Sequence, residues 1–184
     1  ALVGAEFGKL VSKETKVDII VTPAVTLIVG IATAKLVGPY IGSFMTWLGA
    51  LIMWATEMQP IPMGILVSAL MGVILTAPVS SAALAIMLGL EGLAAGAATV
   101  GCCAHMIGFA AISYRENGIG GVFAQGLGTS MLQVPNIVRN PLIIVPPVLV
   151  SMVLGPIVTT LVPMTNDKIG AGMGTSGLVG QIQT

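Results

Sequence analysis

Residues 58–90 read MQPIPMGILVSALMGVILTAPVSSAALAIMLGL and hold no Asp, Glu, Lys or Arg. A hydrocarbon core of about 30 Å needs about 20 apolar residues as a helix, so this stretch is longer than one span requires. The same charge-free character recurs over residues 36–56, 92–114, 117–138 and 140–166. Hydrophobic residues make up 55% of the 184 and charged residues 8%, against about 25% charged in a soluble domain. Seven basic and seven acidic side chains cannot cover a water-facing surface, so most of the chain must face lipid or protein. That excludes a soluble enzyme and a disordered segment. The net charge of zero leaves no electrostatic footprint for nucleic acid. The apolar runs are continuous rather than alternating, which argues against a barrel and leaves helices to satisfy the backbone in lipid. The expected fold is an all-α integral membrane protein, with about 5–6 transmembrane or re-entrant helices in Gly/Pro-broken segments.

Outward from that stretch, Glu57-Met58-Gln59-Pro60-Ile61-Pro62 marks a break, and Pro78 predicts a kink or two half-helices. Upstream, residues 1–16 read as an amphipathic segment at the membrane edge. Spans are expected over about Val17–Val37 and Tyr40–Glu57, separated at Gly38-Pro39, with Trp47 and Trp54 as interfacial anchors. Downstream, Glu91–Tyr114 is an Ala/Gly-rich span whose Gly92-xxx-Gly96 spacing admits another helix, and Glu91 suits its N-terminus. Tyr114-Arg115-Glu116-Asn117-Gly118 reads as a polar turn. Gly118–Arg139 either crosses or dips in and returns. Pro141–Pro163 is apolar, interrupted at Pro146-Pro147 and Gly155-Pro156. The transmembrane region is thus 17–163, and 164–184 is a Gly-rich tail expected to join the site. Lys9, Lys13 and Lys16 place the start on the cytoplasmic side. The chain opens at Ala1 without Met and stops in a Gly-rich stretch, the pattern expected of a fragment.

One motif occurs twice. Residues 126–132 read GLGTSML and residues 172–178 read GMGTSGL, a shared GxGTSxL followed by Gln133 and Gln181. Glycine lets backbone approach a ligand, Thr and Ser supply hydroxyls, and corresponding interruptions in two halves point to a transporter's binding site. The bland alternative is two Gly-Ser turns in a glycine-rich protein. The GxGxxG match at 172–177 lacks the strand and the downstream acid of a dinucleotide fold. Glu57, beside Gln59 and two prolines, is the preferred intramembrane acid; a loop residue at a helix end is the competing account. His105 lacks the further ligands a metal needs and reads as a hydrogen-bonded helix-packing histidine, with a sugar contact as the alternative; neither a metal nor a cofactor is expected.

The pieces TAPVSSAALAIMLGL (76–90), ISYRENGIGG (112–121), QGLGTSMLQVPNIVRNP (125–141) and GAGMGTSGLVGQI (170–182) carry a resemblance. The chain resembles a bacterial phosphotransferase-system EIIC-like membrane family that includes the perfringolysin O regulatory-protein type. The resemblance implies a sugar-translocating permease subunit in the bacterial cytoplasmic membrane, multi-pass, working with EIIA- and EIIB-type phosphocarrier subunits. Such a subunit presents sugar to a separate phosphoryl-carrying domain, and no phosphoryl-carrying residue is evident here. The alternative is a membrane sensor that controls gene expression without transport. A homodimer is a candidate assembly. The expected substrate-binding residues are Glu57, Gln59, Gly128, Thr129, Ser130, Gln133, Asn136, Gly174, Thr175, Ser176 and Gln181. Carboxylates and amides suit sugar hydroxyls; Gln125 is a further amide of that kind, and the 4% aromatic content offers few stacking platforms.

Overall fold

The structure is a computed structural model that describes residues 2–11 and 18–184. Of the amphipathic segment, Leu2–Val11 forms helix α1; Lys13, Glu14 and Lys16 lie outside the described residues. Helix α2 follows over Asp18–Met58. The chain divides into two compact units, Ala1–Met45 and Thr46–Thr184.

In the first unit, α1 meets α2 at Gly8, where a Cβ would run into the Thr26 hydroxyl. Thr26 and Thr33 return their own hydroxyls to the carbonyls of Thr22 and Val29, a way of hiding polar groups in an apolar helix. The expected break at Gly38-Pro39 does not occur, because α2 stays helical through Pro39. Proline removes one amide donor and crowds the carbonyl four residues back, yet it is tolerated in spanning helices where other groups or local adjustments re-satisfy the freed backbone. Leu27, Ile28, Leu36 and Tyr40 are all exposed on this helix, as lipid-facing side chains are.

The second unit is built on three helices: α3 (Pro60–Thr76), α5 (Gly92–Ile112) and α8 (Val145–Pro156). Each packs on the other two. Hydrophobicity cannot discriminate helix from lipid, so close packing of small residues and interhelical hydrogen bonds must hold them. Gly155 of α8 lies against the Gly64 carbonyl of α3. One turn along, the Ser68 hydroxyl donates to the Ser151 carbonyl at 2.7 Å. Thr159 donates to the Pro60 carbonyl at 2.8 Å. Between α3 and α5, Gly101 abuts the Ser68 carbonyl and Gly72 abuts the His105 ring. Between α5 and α8, Gly108 sits under Pro147. Ala94, Ala95, Ala97, Ala98, Cys102, Met106 and Phe109 of α5 form the buried core.

The break at Pro60 is as expected: α3 starts there with proline in its first turn. So is the break at Pro78, where α3 ends at Thr76 and α4 runs Ser81–Leu88. Ser80 caps α4 by accepting from the Ala83 amide, and Gly89 ends it in the left-handed region. Glu91 precedes α5 but makes no capping hydrogen bond; it pairs with Lys168 at 3.9 Å on the surface. Gly96 admits close approach, though of extended chain at the Met164 carbonyl rather than of a helix.

Residues 118–139 do not cross as one helix. Helix α6 (Tyr114–Phe123) is kinked at Gly118. A π-helical turn (Ala124–Gly128), a 3-10 turn (Ser130–Gln133) and helix α7 (Val134–Arg139) follow. Pro146-Pro147 fall in the first turn of α8, where a missing amide costs nothing, and α8 runs on into a π turn over Ile157–Leu161. The tail packs inward on α5 before ending in the short helix α9 (Val179–Ile182). Among the described residues, three helical stretches are long and apolar enough to cross a membrane: Ile20–Met58, Gly92–Ile112 and Pro141–Leu161; Pro60–Thr76 is a shorter apolar helix. The protein is an all-α membrane protein.

Candidate functional site

The two GxGTSxL copies come together against α5, in different conformations. In the first, the π turn ends at Gly128, and Thr129 turns extended and accepts from the Met131 amide. In the second, Gly174 and Gly177 both have positive φ, as does Leu178. The Thr175 hydroxyl donates to the Gly126 carbonyl and touches the Met106 sulfur. The serines differ as well: Ser130 is fully buried, whereas Ser176 is half-buried.

Ser130 belongs to a buried polar chain. Its Oγ lies 3.0 Å from Thr76 Oγ1, which lies 3.0 Å from His105 Nδ1 and 3.1 Å from the Gly72 carbonyl. Thr76 has one proton and the carbonyl can only accept, so Thr76 donates to Gly72. Ser130 and the His105 Nδ1–H then both donate to Thr76. This assigns the Nδ1–H tautomer and leaves Nε2, which has no hydrogen-bond partner, as a lone pair packed on Gly72. His105 packs from α5 against Gly72 of α3 and is hydrogen-bonded to Thr76.

The first copy leads directly into a second polar array. Gln125 donates from Nε2 to the Ser113 hydroxyl at 2.7 Å. Gln133 donates to Gln125 Oε1 at 3.0 Å, and Asn136 donates to Gln133 Oε1 at 2.9 Å. Ser113, Gln125 and Gln133 are buried, and Asn136 is exposed. The ladder therefore carries polar character from the helix core to an open edge. Each amide pins the next, which fixes which atom of each faces outward. The broken backbone makes this geometry: Gly118 has φ +58, and the π turn swings Gln125 inward.

The ladder walls a cleft of two adjoining cavities. The first, of ≈ 320 Å³, is lined by Phe109, Ile112, Ser113, Glu116, Asn117, Gln133, Asn136 and Ile143. The second, of ≈ 370 Å³, shares Asn117, Gln133 and Asn136 and adds Gly120, Gly121, Gln125 and Leu132. Such volumes lie at the lower end of ligand pockets, about 300–1,000 Å³.

Of the residues expected from sequence, Gln133 and Asn136 line this cleft, and Gly128, Thr129 and Ser130 lie in the turn leading to it. Thr175 joins the second copy to Gly126 of the first, and Gly174 lies against Cys102 of α5; Ser176 follows them in the second copy. Glu57 and Gln59 are exposed at the junction of α2 and α3 and are not among the lining residues. Gln181 donates to the Cys103 sulfur at 3.3 Å and lines a separate cavity with Thr99, Met164 and Thr184. Sequence reasoning missed Glu116 and Asn117, because the Tyr114–Gly118 block reads as a turn, and Ser113, which reads as the end of the preceding apolar span. Its signal was an acid and an amide set between two long uncharged stretches.

The family model described as Phosphotransferase system, EIIC, matches residues 1–184, the whole chain. No curated protein and no solved structure matches it. Helices apolar enough to span a bilayer, a glycine-broken centre and a hydroxyl- and amide-lined cleft accord with that match: the chain belongs to the phosphotransferase-system EIIC family, the membrane-embedded, permease-type component of such a system.

Proposed function

We propose that this chain is the sugar-translocating part of a phosphoenolpyruvate-dependent phosphotransferase permease. In this reading it is a multi-pass protein of the bacterial cytoplasmic membrane, and cytoplasmic EIIA- and EIIB-type subunits supply the phosphoryl group. The observation that carries the reading is the cleft walled by the Ser113–Gln125–Gln133–Asn136 ladder. A sugar hydroxyl both donates and accepts, so its site needs paired acceptors and donors. Glu116 offers two acceptor oxygens, while Asn117 and Asn136 offer amides that do both. Phe109, Ile112 and Ile143 give the apolar wall on which a ring's C–H face rests. Within this proposal Gln133 and Asn136 contact substrate. Gly128, Thr129, Ser130, Gly174, Thr175 and Ser176 hold the backbone that positions them.

The test is uptake of radiolabelled sugars into vesicles containing the full-length protein and its phosphocarriers. Accumulation of sugar phosphate that requires phosphoenolpyruvate supports the proposal. Sugar binding without uptake would transfer the protein to the sensor reading.

A further inference from the structure

The 3-10 turn Ser130–Gln133 carries Gln133 into the cleft wall. A 3-10 turn has poorer hydrogen-bond geometry than an α-helix, so its place depends on what ties it to its surroundings. At one end, Gln133 is tied through Gln125 to Ser113, at the close of α5. At the other end, Ser130 is tied to Thr76, the last residue of α3. Two anchors on two helices fix the turn; with one, it can pivot.

Thr76 Oγ1 has one proton and two lone pairs. The Gly72 carbonyl takes the proton, at 3.1 Å, and the His105 Nδ1–H fills one lone pair, at 3.0 Å. A single lone pair is left, and Ser130 donates to it at 3.0 Å. The His105 ring therefore sets the direction in which Thr76 accepts. Packing selects the tautomer. The opposite one would put a proton on Nε2, which has no partner and lies against Gly72, and would make Nδ1 compete for the Thr76 proton. Thr76, His105 and Ser130 are all buried, so water does not replace a lost partner. Neither Thr76 nor His105 lines either cavity.

We propose that Thr76 and His105 are positioning residues: they hold Ser130, and through it the Gln133 wall of the cleft, in the geometry that receives the ligand. This rests on the reading of the cleft as the binding site. The pair itself contacts no ligand. Loss of its hydrogen bonds frees the Ser130 end of the turn while the Gln125 end stays attached.

Hydrogen–deuterium exchange of the purified full-length protein in lipid nanodiscs, read by mass spectrometry, tests this. Thr76→Val keeps the shape and removes the hydroxyl. It is expected to speed exchange over residues 130–136 about tenfold and to leave α3 and α5 unchanged, while Thr76→Ser matches the parent. His105→Gln, whose amide reaches toward the Nε2 position, is expected to behave like Thr76→Val. His105→Asn, whose amide nitrogen falls near the Nδ1 position, is expected to behave like Thr76→Ser. Ser130→Ala cuts the same link from the other side and replaces Thr76→Val if that protein does not fold. His105 is the one histidine among the 184 residues, so the nitrogen NMR resonances lost on replacing it report its tautomer, with Nδ1 expected to carry the proton. Exchange that is unchanged in Thr76→Val, or raised equally in α3 and α5, overturns the proposal. So does a proton on Nε2, or a His105→Asn protein no better than His105→Gln. Glucose, galactose, fructose, maltose and lactose are titrated in parallel. Any of them that the parent binds is expected to bind Thr76→Val about tenfold more weakly, and equal affinity overturns the proposal. A parent that binds none of them overturns the sugar reading, and exchange alone then decides the positioning.

Discussion

The hydroxyl of Thr175, in the second GxGTSxL copy, is donated to the carbonyl of Gly126, in the first. Both groups are buried. Gly126 stands inside a π-helical turn, where the widened backbone leaves carbonyls out of the regular ladder. The repeated motif is thus a joint between two broken segments, made at the π turn that carries Gln125.

Thr175→Val keeps the shape and removes the donor, leaving a buried carbonyl unpaired. It should destabilise the protein by about 1–3 kcal/mol, while Thr175→Ser should stay near the parent. Thermal unfolding of the purified proteins in detergent would show it. Equal midpoints for the two variants would mean the contact contributes nothing.

Glycines that look alike in sequence should respond differently. A Cβ at Gly101 would overlap the Ser68 carbonyl, and one at Gly174 would press on Cys102 at a φ of +55, whereas Gly128 faces open space. Gly101→Ala and Gly174→Ala should each cost about 1–3 kcal/mol, as overpacking does. Gly128→Ala should change stability by under about 0.5 kcal/mol. Detergent stability assays on the three variants decide this, and comparable losses at Gly128 and Gly174 would contradict it.

Gln125 holds the middle of the amide ladder. Gln125→Leu strands the buried Gln133 amide and the Ser113 hydroxyl, so about 1–3 kcal/mol of stability should be lost. Sugar affinity should fall as well, because Gln133 and Asn136 are no longer held. Ser113→Ala removes a single bond and should cost about 1 kcal/mol. A Gln125→Leu protein with unaltered stability would show that the ladder is not formed in the membrane.

Two glutamates can be set against each other. Glu116 lines the cleft and Glu57 does not. Glu116→Gln removes a charged acceptor worth about 1.5–3 kcal/mol, so sugar affinity should drop about tenfold or more. Glu57→Gln should leave affinity within about twofold. Binding titrations of both variants make the comparison. A loss at Glu57 alone would return the site to the α2–α3 junction.

How much of this was legible in the chain varies by element. Breaks at Pro60 and Pro78 could be read because each proline follows an apolar run and is joined by polar or small neighbours that favour a turn. Pro39 could not, since the same residue is tolerated where the helix around it remains satisfied. Gln133 and Asn136 could be flagged as amides after a glycine motif. Glu116 could not, because only the kink at Gly118 and the π turn bring the helix carrying it beside them.

Composition alone settles the solvent: a chain with 8% charged residues and uncharged runs longer than a bilayer requires has no soluble surface to fold behind, and helix is its remaining backbone solution. The sequence also determined where the helices weaken, since proline and glycine act locally. How the weak places meet depends on packing between segments distant in the chain. The two GxGTSxL copies share residue types yet adopt different backbones: Gly174 has φ +55 where a Cβ would meet Cys102, whereas Gly128 faces open space. The ladder from Ser113 to Asn136 exists only once three broken segments meet. Hydrogen bonds between side chains depend on distance in space, and sequence spacing carries that distance only inside an unbroken helix.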